Sequence, residues 1–279
     1  MTSQDYPRGF EEDDLLRSRF VRDLTLAQMR RAPRESTESR EGEGEPIPRT
    51  LVQFWHDARD VPPDVRSCMD SWEPLRDEGF AVHVFADGTA ADFVADRFGA
   101  REREAFSRCQ HPAMRSDYFR LCYILAEGGL YVDADDVLKG DGWKQLFVDA
   151  TLKLHPLAFD LTSMSMLTDI DLRRADLPRG NKIFYVNNNP IAAPAGHAVL
   201  DRALARATAG LLRAGEAWDI QSTTGPGNLT AALCAHARQL HAEGSVPDYE
   251  LMLDWERTAE PRWDLCYRSD SRNWRNWRP

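Results

Sequence analysis

The chain has 279 residues, of which 42% are hydrophobic and 29% are charged, which suits one large α/β domain or two small ones with a buried core. The net charge of −10 argues against nonspecific nucleic-acid binding, which needs a basic surface. No segment approaches the ~18 apolar residues of a membrane-spanning helix, and the N-terminus lacks the basic and apolar blocks of a signal peptide. Five cysteines without Cys-x-x-Cys spacing favour reduced thiols. We therefore expect a cytoplasmic protein with no nucleic-acid partner and no membrane span.

The first 46 residues are predicted to form an N-terminal helix and a flexible linker. Residues 9–32 are amphipathic, with acidic residues 11–14 in the first turn and a stripe of Leu16, Phe20 and Leu24. This helix is more typical of an appendage or a dimer contact than of a catalytic element. The segment 33–46 is almost free of apolar residues, which is typical of a linker.

From residue 47 the pattern alternates between strands and helices. We predict strands at 50–55, 80–85 and 130–132, and helices at 63–77, 89–98, 101–108 and 113–127. This order favours an α/β fold with a Rossmann-like, mostly parallel sheet. The second half is less regular, with strands predicted at 151–155 and 183–186, helices at 197–213 and 228–242, and polar, turn-rich segments at 187–190 and 223–227.

An acidic turn, Asp133-Ala134-Asp135, directly follows the strand 130–132. Ligands of such sheets bind beyond the carboxyl ends of the strands, and Mg²⁺ or Mn²⁺ prefers oxygen ligands such as these two carboxylates. A solvated acidic loop is the alternative, and Asp136 is either a helper or solvent-facing. Glycoside hydrolysis by two carboxylates remains possible. The sequence has no P-loop, dinucleotide-binding glycine motif or nucleophile elbow.

Three segments together resemble glycosyltransferase family 32, the DXD-containing sugar transferases that include fungal mannosyltransferases and are related to large glucosylating toxins. They are Ala113–Asp135 (AMRSDYFRLCYILAEGGLYVDAD), Ile47–Trp55 (IPRTLVQFW) and the turn Thr224-Gly225-Pro226. The resemblance implies a GT-A type fold, a nucleotide-sugar donor, Mn²⁺ or Mg²⁺, and retention of anomeric configuration. Gln53 stands where the family often has histidine, and the family's His-x-x-x-Ser-Trp ending is absent.

The resemblance also implies roles for the motif residues. Asp135 would bind the metal directly, while Asp133 would contact the ribose and reach the metal through water. Asp117 and Arg120 lie three residues apart on one helix face, and the resemblance places them on donor-sugar hydroxyls and near the diphosphate. A surface ion pair is the alternative for these two residues.

Other side chains are assigned from their positions in the sequence. Trp55 ends a strand, where its ring suits stacking on the nucleotide base or belongs to the core, and Gln53 is assigned to the same donor site. Tyr131 lines either the donor site or the core. On the acceptor side we place Asn187 and Asn189, which are otherwise turn formers before Pro190, together with Thr224 and Gly225.

The C-terminal tail carries Trp274 and Trp277 among arginine and asparagine residues, which is unusual for a terminus. We predict a lid over the donor, formed by Asn273 and Trp274, with simple docking onto the domain as the alternative. Residues 47–279 are then one domain, with a nucleotide-sugar-binding half (47–140) and an acceptor-side half (141–279).

The predicted function is a retaining, metal-dependent glycosyltransferase. A UDP-sugar is favoured over a GDP-sugar because of the tryptophan platform and the toxin-like motif. The acceptor is open between a glycan, a natural product and a protein side chain. Two alternatives remain, a catalytically silent nucleotide-sugar-binding or regulatory protein and a carbohydrate hydrolase.

Overall fold

The structure is a computed structural model that describes residues 6–30, 45–174, 176–177, 180–213 and 219–276. Its strands are β1 Thr50–Phe54, β2 Ala81–Phe85, β3 Gly129–Tyr131, β4 Asp136–Leu138, β5 Leu152–Asp160, β6 Ser165–Met166, β7 Lys182–Ala193, β8 Tyr249–Leu251 and β9 Ala259–Pro261. Its helices are α1 Asp14–Met29, α2 Pro63–Asp70, α3 Asp87–Arg97, α4 Ala100–Ser107, α5 Pro112–Glu127, α6 Asp169–Leu172, α7 Ala198–Leu212, α8 Ile220–Thr223 and α9 Pro226–Glu243. Short 3-10 helices include Cys266–Ser269 and Trp274–Asn276 near the C-terminus.

The central sheet has seven strands in the order β2-β1-β3-β7-β5-β6, with β8 also paired to β5. Strands β1, β2 and β3 are parallel, β7 runs antiparallel between β3 and β5, and β8 is parallel to β5. Five strands therefore share one direction, while β6 and β7 run the opposite way. The predicted α/β fold with a mostly parallel sheet is confirmed. Strands β4 and β9 form a separate antiparallel pair.

Both faces of the sheet are covered by apolar side chains. Alternating residues of β1 point to opposite sides, so that Leu51 and Val52 belong to different hydrophobic clusters. The same alternation separates Leu130 from Tyr131 in β3. The sheet is therefore packed on both faces at the edge where β1 and β3 end. The acidic turn at residue 133 lies at this edge.

The N-terminal helix packs against the main sheet. It begins at Asp14, later than predicted, because the Asp13 carboxylate caps it by accepting from the backbone N–H groups of Leu15 and Leu16. Phe20 and Val21 lie in the larger hydrophobic cluster, and α1 contacts β7 and α9. The Gln28 side chain exchanges two hydrogen bonds with the backbone of Leu251 in β8. Residues 33–44 of the predicted linker lie outside the described residues, as do the last two residues of the predicted helix.

The predicted helices and strands up to residue 132 are found with shifts of a few residues at their ends. The predicted helix 63–77 is divided into α2 and the 3-10 helix Glu73–Arg76. The largest difference lies in β7, which continues through the polar segment 187–190 that was predicted to be a turn. The turn prediction is wrong because the asparagine amides at 188 and 189 find hydrogen-bond partners on neighbouring elements, as described below.

Helix α5 ends at two glycines with left-handed backbone conformations, Gly128 (φ 68°) and Gly129 (φ 110°). A Cβ atom on Gly129 would lie 2.7 Å from the carbonyl oxygen of Thr50 in β1. We expect Gly129→Ala to lower the free energy of unfolding by at least about 2 kcal/mol, measured by urea denaturation. Gly88→Ala is the control, since a Cβ there meets no atom within 4 Å, and its stability should equal or exceed that of the wild type. Equal stability of the two variants would contradict this account of β1–β3 packing.

Candidate active site

A cleft of about 450 Å³ lies beyond the carboxyl ends of β1 and β3, between β7 and the C-terminal segment. It is lined by nine of the residues predicted for the site, namely Trp55, Asp117, Arg120, Asp133, Asp135, Asn187, Asn189, Asn273 and Trp274. Four others do not line it, namely Gln53, Tyr131, Thr224 and Gly225. The acidic turn, the N-terminal half of α5 and the tail thus meet in one cavity, although they are distant in sequence.

Asp133 is held in place by neighbours from three elements. Its carboxylate oxygen Oδ1 accepts hydrogen bonds from Arg120 Nη2 (2.9 Å) and from the Tyr131 hydroxyl (3.2 Å). Its backbone N–H donates to Asn189 Oδ1 of β7 (2.9 Å). The side chain is one-third exposed, so the carboxylate is fixed from below and still faces the cleft.

Arg120 is the central cation of this network and is buried, with only 4% of its side chain exposed. Its guanidinium donates to the carbonyl oxygen of Asn188 (2.7 Å) and to Ser116 Oγ (2.9 Å), and it forms ion pairs with Asp117 (3.1 Å) and Asp133 (2.9 Å). Burial alone would lower its pKa, but the attraction of Asp133 and Asp117 outweighs burial and raises it. The surface ion pair considered from the sequence is therefore wrong, because α5 is covered by β7 at this point.

Asp117 is the buried partner of Arg120. Its carboxylate accepts hydrogen bonds from Asn188 Nδ2 (2.8 Å) and from the Thr224 hydroxyl (3.4 Å). Burial raises the pKa of Asp117 to about 6, and repulsion from Asp133 adds to this, while Arg120 and the two hydrogen bonds act in the opposite direction. The carboxylate is thus ionised at neutral pH and titrates just below it.

This raised pKa has a consequence for stability. The folded protein keeps the Asp117 proton up to about pH 6, whereas the unfolded chain loses it near 3.8, so the stabilising contribution is complete below pH 3.8 and is lost as the pH rises through 6. Asp117→Asn lacks this titration. The unfolding free energy of the variant minus that of the wild type should increase by on the order of 2 kcal/mol from pH 4 to pH 7. Urea denaturation in EDTA at both pH values measures the increase, and a constant difference would contradict the prediction.

Asp135 contacts the C-terminal segment. Its Oδ2 atom accepts hydrogen bonds from the Tyr267 hydroxyl (2.5 Å) and from the Arg268 guanidinium. Burial raises the pKa of Asp135, as does repulsion from Asp133, and Arg268 and Tyr267 lower it. The solvated acidic loop, which was the alternative from the sequence, is wrong for Asp135, because Tyr267 and Arg268 cover its side chain. Nothing in the spacing of Tyr267 and Arg268 signalled this contact.

Asp136 is a buried residue that supports the turn. It is 1% exposed, its carbonyl oxygen accepts from Trp72 Nε1 (2.9 Å), and its carboxylate accepts from Asn189 Nδ2 (3.0 Å). Burial and repulsion from Asp135 and Asp133 raise its pKa well above the usual value. Of the two alternatives for Asp136, the helper role agrees with this burial and the solvent-facing one does not.

Trp55 lies at the end of β1 and lines the cleft, although it is largely buried. Its Nε1 donates to the carbonyl oxygen of Asp60 (3.0 Å), and its ring meets the Tyr267 ring edge to face at 5.3 Å. Gln53 is fully buried, and its Nε2 donates to the carbonyl oxygen of Asp133 (3.4 Å). Gln53 and the buried Tyr131 therefore contact Asp133 from inside the protein and do not face the cavity.

The three asparagines of β7 line the cleft, and two of them also bind buried or half-buried aspartates. Asn188 binds Asp117, and Asn189 joins Asp133 to Asp136. Asn187 donates to the carbonyl oxygen of Asn189 (2.6 Å) and is more exposed than the other two. Thr224 is buried against Asp117, and Gly225 precedes α9, so neither of them reaches the cavity.

The tail lies over the cleft between Asp135 and α5. The carbonyl oxygen of Ser271 accepts from His111 Nε2 (3.0 Å), while Asn273 Nδ2 donates to the carbonyl oxygen of Arg268 (2.7 Å). Trp274 packs on the larger hydrophobic cluster, and the Arg275 guanidinium lies 4.6 Å from the centre of its ring. Trp277 lies outside the described residues.

A divalent ion in this cleft would need ligand atoms from a bound molecule in addition to those of the protein. Within the described part of the chain, no group of three or more His, Cys, Asp or Glu residues could hold a metal. Asp133 and Asp135 both line the cavity. Magnesium typically takes one or two carboxylates plus substrate phosphates. The donor set therefore suits an ion that arrives with a diphosphate.

Two similarities to known proteins are found. Residues 62–156 match the model of the glycosyltransferase sugar-binding region containing DXD motif, a stretch that includes α5 and the acidic turn. Among solved structures, a chain described as PaToxG Glycosyltransferase is similar over 95% of both chains, with 15% identity and a TM-score of 0.42. Among curated protein sequences no relative is found. In the described residues no helix is both long enough and apolar enough to cross a membrane. The match over residues 62–156 supports a glycosyltransferase whose DXD motif is Asp133-Ala134-Asp135.

Proposed function

We propose that the protein is a retaining, divalent-metal-dependent glycosyltransferase of the family 32 type that acts in the cytoplasm. The observation that carries this proposal is the cleft in which Asp133 and Asp135 face Arg120, Asp117 and Arg268 across the ends of β1 and β3. Asp133 and Asp135 would hold an Mn²⁺ or Mg²⁺ ion together with phosphate oxygens of a nucleotide diphosphate sugar, and a UDP-sugar is the favoured donor.

Each side chain then has a physical task. A bound ion would act as a Lewis acid on the departing diphosphate. Asp135 and Asp133 would hold the ion, with Asp133 oriented by Arg120 and Tyr131. Asp117 and Asn188 keep the Arg120 guanidinium fixed, so that the carboxylate geometry is set before the donor arrives. Trp55 would offer the part of its ring that lines the cleft for stacking on the nucleotide base.

The Arg268 guanidinium is well placed for a second task. It rests on Asp135 and is stacked 4.3 Å from the centre of the Trp263 ring, with one side open to the cavity. Because Arg268 lines the cleft beside Asp135, its guanidinium would pair with a phosphate oxygen of a bound diphosphate through charge-assisted hydrogen bonds. The C-terminal segment would thus contact the donor directly.

The lid role of the tail is tested by removing residues 270–279. We expect donor affinity to fall by at least about tenfold, because the deletion removes the Asn273 side chain that binds the backbone of Arg268 and the Trp274 ring that lines the cleft. The melting temperature of the free protein should fall by less than about 5 °C, since residues 270–276 are all partly or fully exposed. Val148→Ala, at an exposed position away from the cleft, is the control. A protein that melts much earlier but binds donor normally would show that the tail is a structural clasp.

The donor is identified by measuring the melting temperature with a panel of nucleotide sugars, with and without Mn²⁺. Binding to the folded state alone raises the melting temperature, and we expect one nucleotide sugar to do so only when the ion is present. A catalytically silent nucleotide-sugar-binding protein would show the same shift without cleaving the donor. A hydrolase would show no shift with any nucleotide sugar.

A further inference from the structure

The outward face of β5, β6 and β7 is apolar. Leu157, Met166 and Tyr185 of this face line the cleft, and Phe159 and Ile183 continue the face beyond it. Residues on this face alternate with buried ones, so that Ala158, Phe184 and Val186 point into the core while their neighbours point outward. The outward residues are Leu157, Phe159, Met166, Ile183 and Tyr185, which we call the apolar face.

The pairing of the strands makes this face continuous. Leu157 lies opposite Tyr185, Phe159 lies opposite Ile183, and Met166 lies opposite Phe159 on the other side. The Tyr185 hydroxyl donates to the sulfur atom of Met166 (3.7 Å). All five side chains are half-buried or exposed, and Ile183 is 43% exposed. The face therefore offers apolar surface and few hydrogen-bonding groups to a ligand.

The apolar face reaches the cleft that Asp133 and Asp135 also line. Asn187 and Tyr185 lie on the same side of β7, about 7 Å apart, and both line the cleft together with Leu157 and Met166. Asn189, two residues further along the strand, binds the backbone of Asp133. A donor sugar near Asp133 and Asn187 would therefore have the apolar face as its next neighbour along β7.

From this geometry we infer that the acceptor is a hydroxylated small molecule with an uncharged, apolar body, which lies on the apolar face with its hydroxyl directed toward Asn187. This inference rests on the proposed function. An oligosaccharide is disfavoured, because its hydroxyls would lose water without gaining partners on this surface. The cavity volume of about 450 Å³ also suits a small molecule. In transfer, the acceptor oxygen forms the new bond to the sugar's anomeric carbon, the bond to the diphosphate breaks, and the acceptor proton leaves with the diphosphate.

The test measures binding of 4-methylumbelliferone, a fluorescent coumarin with one phenolic hydroxyl, to the whole protein at a pH at which this hydroxyl is protonated. We expect saturable binding that is weakened at least about tenfold by Ile183→Asp, which places a charge on the apolar face. Val148→Asp is the matched control, because Val148 is an exposed apolar residue (60%) outside both the cleft and the apolar face. This variant should bind 4-methylumbelliferone as tightly as the wild type does. Maltotriose should not compete. Donor affinity in Ile183→Asp, read from the Mn²⁺-dependent melting shift, should stay within about twofold of the wild type.

Transfer is then compared with both compounds as acceptors in the presence of the identified donor and Mn²⁺. Sugar transfer to 4-methylumbelliferone and little to maltotriose supports the inference, whereas preferred transfer to maltotriose, or coumarin binding unaffected by Ile183→Asp, overturns it. Sedimentation that shows a dimer dissociated by Ile183→Asp would also overturn it, since the face would then bind a second copy. If no donor is cleaved while coumarin binding follows the expected pattern, the proposed function fails and the apolar ligand surface stands.

Discussion

Asp135→Asn is expected to reduce sugar transfer by more than about 100-fold, since even the groups behind a metal ligand commonly matter 10–100-fold. The substitution keeps the shape of the side chain but removes the charge that a divalent ion needs. The melting temperature should change by only a few degrees. Burial already raises the pKa of Asp135, so losing the charge relieves one cost, while the loss of the Arg268 ion pair adds another.

The control for this experiment is Asp264→Asn, which removes an exposed carboxylate paired with Arg262 on the same C-terminal segment. Its transfer rate and its melting temperature should match those of the wild type. Normal turnover by Asp135→Asn, measured by release of the nucleotide diphosphate, would contradict the role of the acidic turn.

Arg120→Ala is expected to lower the free energy of unfolding by about 3–5 kcal/mol and to abolish transfer. Without the guanidinium, Asp117 has lost its cation in a buried position, and the carbonyl oxygen of Asn188 and Ser116 Oγ lose a donor. The surface ion pair that was the alternative from the sequence would predict a loss of less than about 1 kcal/mol. The burial of Arg120 changes that expectation, because removing one partner of a buried pair is much more costly than removing an exposed one.

Two further variants make this result interpretable. Arg97→Ala removes an arginine from an exposed ion pair with Glu127, and it should cost less than about 1 kcal/mol. Arg120→Lys keeps the charge but loses the forked geometry, so it should fold better than Arg120→Ala and still transfer poorly. Urea denaturation and turnover on the same samples provide both readouts. An Arg120→Ala protein as stable as Arg97→Ala would contradict the buried network.

Local patterns carried the prediction of the first half of the chain. The apolar stripe and terminal glycines of α5 define a helix that delivers Asp117 and Arg120 to one end of the sheet, and the short apolar strand β3 delivers Asp133. These elements depend on periodicity and on glycine conformation, which are readable from neighbouring residues. The position of the acidic turn at the carboxyl ends of β1 and β3 follows from the parallel arrangement.

Long-range contacts could not be read from the sequence. The asparagines before Pro190 have the composition of a turn, yet they continue β7 because Asp117, Asp133 and Asp136 satisfy their amides from distant segments. Likewise, Tyr267 and Arg268 reach Asp135 across more than 130 residues, and no spacing rule connects them. Gln53 and Tyr131 are buried and contact Asp133 from β1 and β3, which the alternatives read from the sequence did not decide.

The most direct test of the central claim is a proton NMR time course of the identified nucleotide sugar with the protein and Mn²⁺. The account predicts that the donor is cleaved only with the divalent ion, and that the first product keeps the donor's anomeric configuration. Cleavage at the same rate in EDTA, or a first product of inverted configuration, would contradict it.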